Sequence, residues 1–576
     1  MRKLSTIAKY FRLTFPWRAF VIWLAMVGGT IATMDAYLFR EVVFETDDAA
    51  ANGLQIRRAK SFEEIEGNYS RWGFHHPGPA MFYLFAGGET LFYDRTRLTA
   101  SPHAAHVLTH ICFQCACFAW GIDTLARRSR RRWFLALALL LWITHFSTIR
   151  FANAGTVARI WPPHILSGPL FLYLVRLAEF AAGSNKAIPA VTFLGGVLVH
   201  SHVGQLLQVV PLFLIAGASY LRERRHSRTA RTKSSASTTE GCAWPYFMTA
   251  DVILLIFLAP MAIEALSRPD NNFVRYAQLN NSSSPKRSWS DAATYLGTFF
   301  FYSQRDGDGE FLDVDRIEIA WPRTVVGFTL VAGTFIVLLF RLKREASLEI
   351  SGDPLDNRNQ DLRFWRRWSL LVLLSGAITL YWARFQPGRL YYFNTFYAGA
   401  LWLSFLLLTL YACLPAAREN AGLWNVGLDI ATIALCSGIW LAPNAWRRDN
   451  TWPPVSYDYH VRVQVGTEVD HLLTRYPPGS RPVVLRFYAW RWHEATTLAL
   501  ELQRRGIPVF VDPGWEGMFG RQLVWRELDH PSPVFWILSG DAKDVDAPDA
   551  ALFMYSAVVA RTNDTDDPKL KQPIRD

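Results

Sequence analysis

Apolar residues along this chain gather in long blocks, not in the short runs of a soluble helix or strand. Trp133 to Ile149, Val325 to Phe340 and Leu401 to Leu410 are near-continuous apolar runs. At about 1.5 Å rise per residue they are long enough, or almost long enough, to cross a bilayer. The first block, Trp17 to Leu38, follows Arg2, Lys3, Lys9 and Arg12 and is too long for a secretory h-region, so it reads as an uncleaved signal-anchor. Pro79 to Phe92 is shorter, interrupted by Gly87, Gly88 and Glu89 and preceded by Pro77, and reads as an interfacial helix on the outer face. Further spans are expected at Ala104–Ala126, Trp133–Ile149, Pro162–Ala182, Ala187–Val199, Gly204–Leu221, Phe247–Leu266, Thr324–Phe340, Trp368–Ala383, Phe396–Cys413 and Val426–Leu441. The pattern predicts an α-helical polytopic membrane protein of about eleven spans.

Composition agrees: 576 residues, 51% of them hydrophobic, exclude a disordered or fibrous chain. The net charge of +11 lies in clusters between apolar blocks, not across a basic face, so it records topology and does not indicate nucleic-acid binding. Arg127 to Arg132, Arg222 to Lys233, and Arg341 to Arg367 fall inside if the N-terminus is inside, which leaves the C-terminus outside. The six cysteines show no disulfide or zinc spacing.

The expected organisation is a membrane domain over 1–442, with a first outer loop at 39–103 and another at 267–323. Residues 222–244 and 342–367 read as cytoplasmic segments that need no fold. Residues 443–561 read as a small extracytoplasmic α/β domain, with strands at Pro482–Tyr488, Pro508–Asp512 and Pro533–Leu538 and a helix at Trp492–Arg505; a disordered tail follows at 562–576.

Candidate chemistry concentrates on the outer side. Glu45, Asp47 and Asp48 follow the first span; the acidic pair either caps a helix at Ala49–Phe62 or serves as a base, and the roles are compatible. Tyr69, Arg71, Trp72, His75 and His76 precede Pro77-Gly78-Pro79. An aromatic belt explains the aromatics and leaves the histidines and the rigid turn unexplained. Arg150, Arg159, Arg384 and Arg389 are outer-face cations that either snorkel to lipid or hold phosphate, with Tyr391 and Tyr392 beside Arg389 able to stack a sugar. His200 and His202 read as residues lining a cavity mouth; a divalent cation there would require an unwound turn. The acidic run Asp306 to Asp315 lacks the register of a calcium loop.

An acidic residue after the first span, a short helix, and a His-Pro motif (YSRWGFHHPGP) opening an interfacial helix before the second span resemble the GT-C superfamily of integral-membrane glycosyltransferases, especially the RgtA/B/C/D-type and dolichyl-phosphate-mannose-type transferases. The resemblance covers residues 1–220 and the remaining spans only in layout. It implies a GT-C-like fold with two interfacial helices, a polyprenyl-phosphate-sugar donor, a glycan or lipid acceptor at the outer face of a bacterial inner membrane, and a general base at Asp47 or Asp48, Asp47 being preferred. Relatives carry a second Asp after the third span, where RFANAGTVARIWPPH has no acid. The competing reading is a transporter of a lipid-linked or anionic substrate. The outer-end gathering of polar residues and the lack of a half-repeat disfavour it.

Overall fold

The structure, a computed structural model, describes residues 40–70, 73–129, 160, 162–232, 243–280, 287–301, 331–340, 357–386, 390–413, 457–526, 533–539, 551–554 and 556–561, with scattered positions at 15–24, 329 and 343. In chain order the longer helices are α1 (Asp47–Lys60), α2 (Ala80–Glu89), α3 (Pro102–Ser129), α4 (Ser167–Ala181), α5 (Ile188–Ser201), α6 (Leu206–Thr232), α7 (Trp244–Ser267), α8 (Asn272–Asn280), α9 (Trp289–Phe301), α10 (Asn357–Phe385), α11 (Ala398–Cys413), α12 (Tyr457–Arg475) and α13 (Trp492–Arg504). The chain forms two compact units, one of Met1–Met34, His110–Ala259 and Asn281–Thr451, the other of Asp35–Thr109, Pro260–Asn280 and Trp452–Asp576. Residues 35–109 and the C-terminal segment therefore share a unit.

In the first unit and along the helices that lead from it, five helices among the described residues are long and apolar enough to cross a membrane: Pro102–Ser129, Pro162–Ala181, Val203–Arg225, Trp244–Ser267 and Asn359–Phe385. On α7, Leu254, Leu255, Ile256 and Leu258 are all exposed. Such a continuous apolar face needs lipid, so this is a multi-pass membrane protein. The expected spans at Trp133–Ile149 and Val426–Leu441, and Trp17–Leu38 save for scattered positions, lie outside the described residues.

Helix α4 is apolar on all sides and buried along its whole length, packed against α5, α6, α10 and α11. Its only charges pair within the unit: Arg176 with Glu179, and Arg128 with Glu179 at 3.2 Å and Asp361 at 3.1 Å. These pairs correct two expectations. The segment before Trp368 is helical from Asn357, and the segment after Leu221 stays helical to Thr232. Arg363 pairs with Glu223, and Trp365 stacks on Tyr411 with ring centroids 3.7 Å apart, so stretches too polar to read as spans are held as helix by partners. Within the segment expected as a second loop, the described residues include α8 and α9.

The second unit contains the expected α/β domain. Strands β1 (Val483–Phe487), β2 (Val509–Val511), β3 (Val534–Ser539), β4 (Ala551–Phe553) and β5 (Ser556–Arg561) form one sheet in the order β2-β1-β3-β5-β4. β1 runs parallel to β2 and β3, while β5 is antiparallel to β3 and β4. Every residue of β1 is buried, as a central parallel strand covered on both faces requires. On α13, Ala495, Leu498, Ala499 and Leu502 recur at helical spacing and join the core.

Helix α1 completes that core: Ala50 and Leu54 belong to the same buried cluster as Leu485, Leu498 and Trp536. A Cβ on Gly53 would stand 2.6 Å from a Leu500 methyl, which is how closely α1 and α13 approach. Leu54→Ala is therefore expected to destabilise this unit by about 2–5 kcal/mol, as much as Leu498→Ala. Thermal unfolding of the two variants in detergent checks it; an unchanged melt for Leu54→Ala alone would contradict the shared core.

Candidate active site

Helix α1 begins at Asp47, two residues earlier than expected, and ends at Lys60. The N-cap is Thr46, so Asp47 and Asp48 lie in the first turn, where they meet the helix dipole favourably. Asp47 adopts φ +53°, a left-handed conformation that costs a non-glycine residue energy and persists only when neighbours over-determine it. Two groups on α13 supply that constraint. Arg504 grips Glu45 with both arms, at 2.5 and 2.8 Å, and the Thr496 hydroxyl donates to the Asp47 carbonyl at 3.3 Å.

Glu45 is wholly buried, which alone would raise its pKa, but the charge and hydrogen bonds of Arg504, helped by His106, hold it well below the usual carboxylate range. From Glu45 a polar chain runs outward toward the surface. His106 Nδ1 lies 3.4 Å from Glu45 and its Nε2 2.8 Å from Glu89; the other Glu89 oxygen accepts from Lys60 at 2.7 Å, and Lys60 also reaches Asp94 at 2.8 Å. Burial opposes ionisation of Glu89, yet His106 and Lys60 bring its pKa down to about 2. His103 stands beside this chain, 3.3 Å from Arg462.

Of these residues only Glu45 stands out from the sequence as candidate chemistry; Arg504, His106, His103, Lys60 and the charge role of Glu89 do not. The available signal was His103, His106 and His110 at i, i+3 and i+7 on an apolar helix, one polar stripe on a face where none should be. The expected interruption at Gly87-Gly88-Glu89 is not a break: α2 runs through it into a π-helical turn, Thr90–Arg95. A Cβ on Gly88 would fall 1.7 Å from the Thr109 hydroxyl, so glycine lets α2 press against α3 and brings Glu89 to His106.

Residues 67–70 and 73–76 pair as two short antiparallel arms. Tyr69 bridges His75 in antiparallel fashion, the His76 amide donates to the Asn68 carbonyl at 2.8 Å, and Gly73 turns the chain at φ +78°. The pairing delivers the Tyr69 hydroxyl to Asp48 Oδ1, to which it donates a short hydrogen bond. His75 is buried and holds the arms: its amide donates to Asn272 at 2.9 Å, its Nδ1 lies 3.1 Å from the Gly67 carbonyl, and its own carbonyl accepts from Tyr276. Burial lowers its pKa. His76 packs edge-on to Phe74, and buried Pro77 leads into α2.

Other expected site residues belong to the first unit. Arg384 donates to the Arg287 carbonyl at 3.0 Å and lies over Trp289 at 4.6 Å; the Tyr391 carbonyl accepts from Tyr295 at 2.7 Å; Tyr392 opens a 3-10 turn. His200 Nε2 lies 2.8 Å from the Phe257 carbonyl, and His202 Nδ1 accepts from the Gly204 amide at 3.1 Å, so both rings are engaged by backbone. Among the described residues no group of three His, Cys, Asp or Glu could hold a metal ion. Arg71, Arg150, Arg159, Arg389 and the acidic run 306–315 lie outside the described residues.

No family model matches the chain, and no curated protein matches it. Among solved structures it is similar to ArnT from Cupriavidus metallidurans in the apo state, at 13% identity and TM-score 0.46, covering 94% of this chain and 97% of that one. It is also similar to the same protein bound to undecaprenyl phosphate, at 13% identity and TM-score 0.40 over the same shares.

Two predictions follow from this geometry. A Cβ on Gly67 would lie 2.4 Å from the His76 carbonyl oxygen, which is backbone and cannot yield, so Gly67→Ala should cost about 2 kcal/mol or more and part the two arms. Hydrogen exchange over 67–76 reads this; wild-type protection would contradict it. Glu89 titrates lower folded than unfolded, so its stabilisation is present above the ordinary carboxyl range, about 4.3, and is lost as pH falls toward about 2. Glu89→Gln should flatten the acid limb of stability between pH 5 and 3 when melts are compared across that range.

Proposed function

We propose that the chain is a GT-C-type glycosyltransferase that moves a sugar from a polyprenyl-phosphate donor to an envelope glycan or lipid at the outer face of a bacterial inner membrane. The observation that carries this reading is the constrained acidic pair: Asp47 in a left-handed conformation at the mouth of α1, next to Asp48 held by Tyr69. Backbone strain in a non-glycine residue gathers at active sites. Here it falls on Asp47, the preferred one of the two carboxylates, Asp47 and Asp48, that the sequence resemblance offers as base. Charge parity along the chain supports a cytoplasmic N-terminus and an extracytoplasmic C-terminus.

In this reading Asp47 removes the proton of the acceptor hydroxyl as that oxygen attacks the anomeric carbon. The carbon–oxygen bond to phosphate breaks on the opposite face, its electron pair leaves with the polyprenyl phosphate, and the configuration inverts. Asp48 and Tyr69 position the turn. Arg389, with Arg384, Arg150 and Arg159, is assigned to the departing phosphate, for which a guanidinium offers two parallel donors.

The test is transfer by the purified chain in liposomes, supplied with radiolabelled polyprenyl-phosphate hexoses and pentoses and with envelope glycolipid. Asp47→Asn should lower kcat by about 10²–10⁴ with an unchanged melt, Tyr69→Phe by less, and Arg389→Ala should raise the KM for donor. Wild-type turnover by both Asp47→Asn and Asp48→Asn would remove the proposed base.

A further inference from the structure

The turn after β1 carries a feature that the transfer step does not use. β1 ends at Phe487, and Ala489–Arg491 form one 3-10 turn, closed by the Arg491 amide donating to the Tyr488 carbonyl at 2.8 Å. The turn sets the Tyr488 and Trp490 rings parallel, 6° apart in plane with centroids 4.7 Å apart. Trp490 is 56% exposed, so its ring, backed by the half-buried Tyr488 ring, is open to solvent.

Its location matters as much as its chemistry. The chain passes from β1 to β2 on one side of β1 and then to β3 on the other. The carboxyl end of β1 is thus the switch point at which sheets of parallel, doubly wound strands take ligands. Such turns usually carry glycines so that a phosphate can approach the backbone. Tyr488 to His493 reads YAWRWH and has no glycine, so this turn offers ring faces instead.

Charged groups rim the stacked rings in fixed positions. Arg491 and His493 grip opposite oxygens of fully buried Glu494, at 3.0 and 2.8 Å. The next aromatic, Trp492, meets Tyr69 edge-on with centroids 6.5 Å apart, and Tyr69 donates to Asp48. Six consecutive residues, from the end of β1 through the turn into the start of α13, therefore bear the stacked rings and touch the partner of the proposed catalytic pair.

We infer that Tyr488 and Trp490 form a saccharide-binding platform that takes a ring of the acceptor glycan. A sugar ring presents a C–H face, which suits a flat aromatic surface, and a hydroxyl edge, which suits the Arg491 and His493 rim. Naming the saccharide as acceptor rests on the transferase reading; saccharide binding itself does not.

The experiment is saturation-transfer NMR on the full chain in lipid nanodiscs, with maltotriose, mannotriose, galactobiose and arabinotriose as probes. At least one probe should saturate at its ring C–H protons on the wild type. Trp490→Ala should weaken its binding by about tenfold or more, with Trp490→Phe in between. Absence of saturation for every probe on the wild type, or undiminished binding by Trp490→Ala, overturns the platform; so does labelling of Trp490 by a photoreactive lipid headgroup, which would make it a membrane anchor. Asp47→Asn should bind probes like the wild type. Retained binding together with full transfer by Asp47→Asn and Asp48→Asn would retire the base and leave the platform standing; lost binding with Asp-dependent transfer would do the reverse.

Discussion

A carboxylate with none of its surface in water must have its counter-charge within the protein. Glu45 is such a group, and its counter-charge is Arg504, 459 residues away in sequence. Removing one partner from a buried pair of this kind leaves an uncompensated charge at a cost of about 3–5 kcal/mol. Because Arg504 sits on α13, and Glu501 one turn earlier also holds it at 2.7 Å, the segment that leads into α1 is tied to a helix of the α/β domain. The backbone between Glu45 and Asp48 has little freedom left.

The remaining features of the unit follow from that tie. Asp47 can stay in a left-handed conformation because Glu45 and the Asp47 carbonyl are both held from α13. Ala50 and Leu54 can fill the domain core because α1 starts where it does. His106 links the fully buried Glu45 to Glu89, so the interior charges form one balanced series instead of isolated penalties. The paired arms that orient Asp48 are fastened separately, through His75 to α8.

Much of the fold could be read from the chain because it depends on local pattern. Apolar blocks marked helices such as α4 and α7, and the buried runs of β1, β2 and β3 were apparent as strands. What could not be read depends on distant partners. The polar starts of α10 and ends of α6 are helical because Arg363 meets Glu223 and Trp365 meets Tyr411, neither a local signal. β4 spans only Ala551–Phe553, too short for an alternating pattern. At the candidate site, the Asp47–Asp48 pair and the Tyr69–His75 segment could be picked out by their composition, but the Arg504 clamp could not. His103 and His106 were visible at helical spacing, and their meaning emerged only when Glu45 and Glu89 proved to flank them.

The most direct measurement is envelope glycan composition by mass spectrometry in a strain lacking this protein, complemented with the wild type or with the Asp47→Asn, Asp48→Asn double variant. The account predicts a glycan short of one sugar, restored by the wild type and not by the double variant. An unchanged glycan in the deletion strain, or full restoration by the double variant, would contradict it and leave the acidic pair as a helix-terminus feature alone.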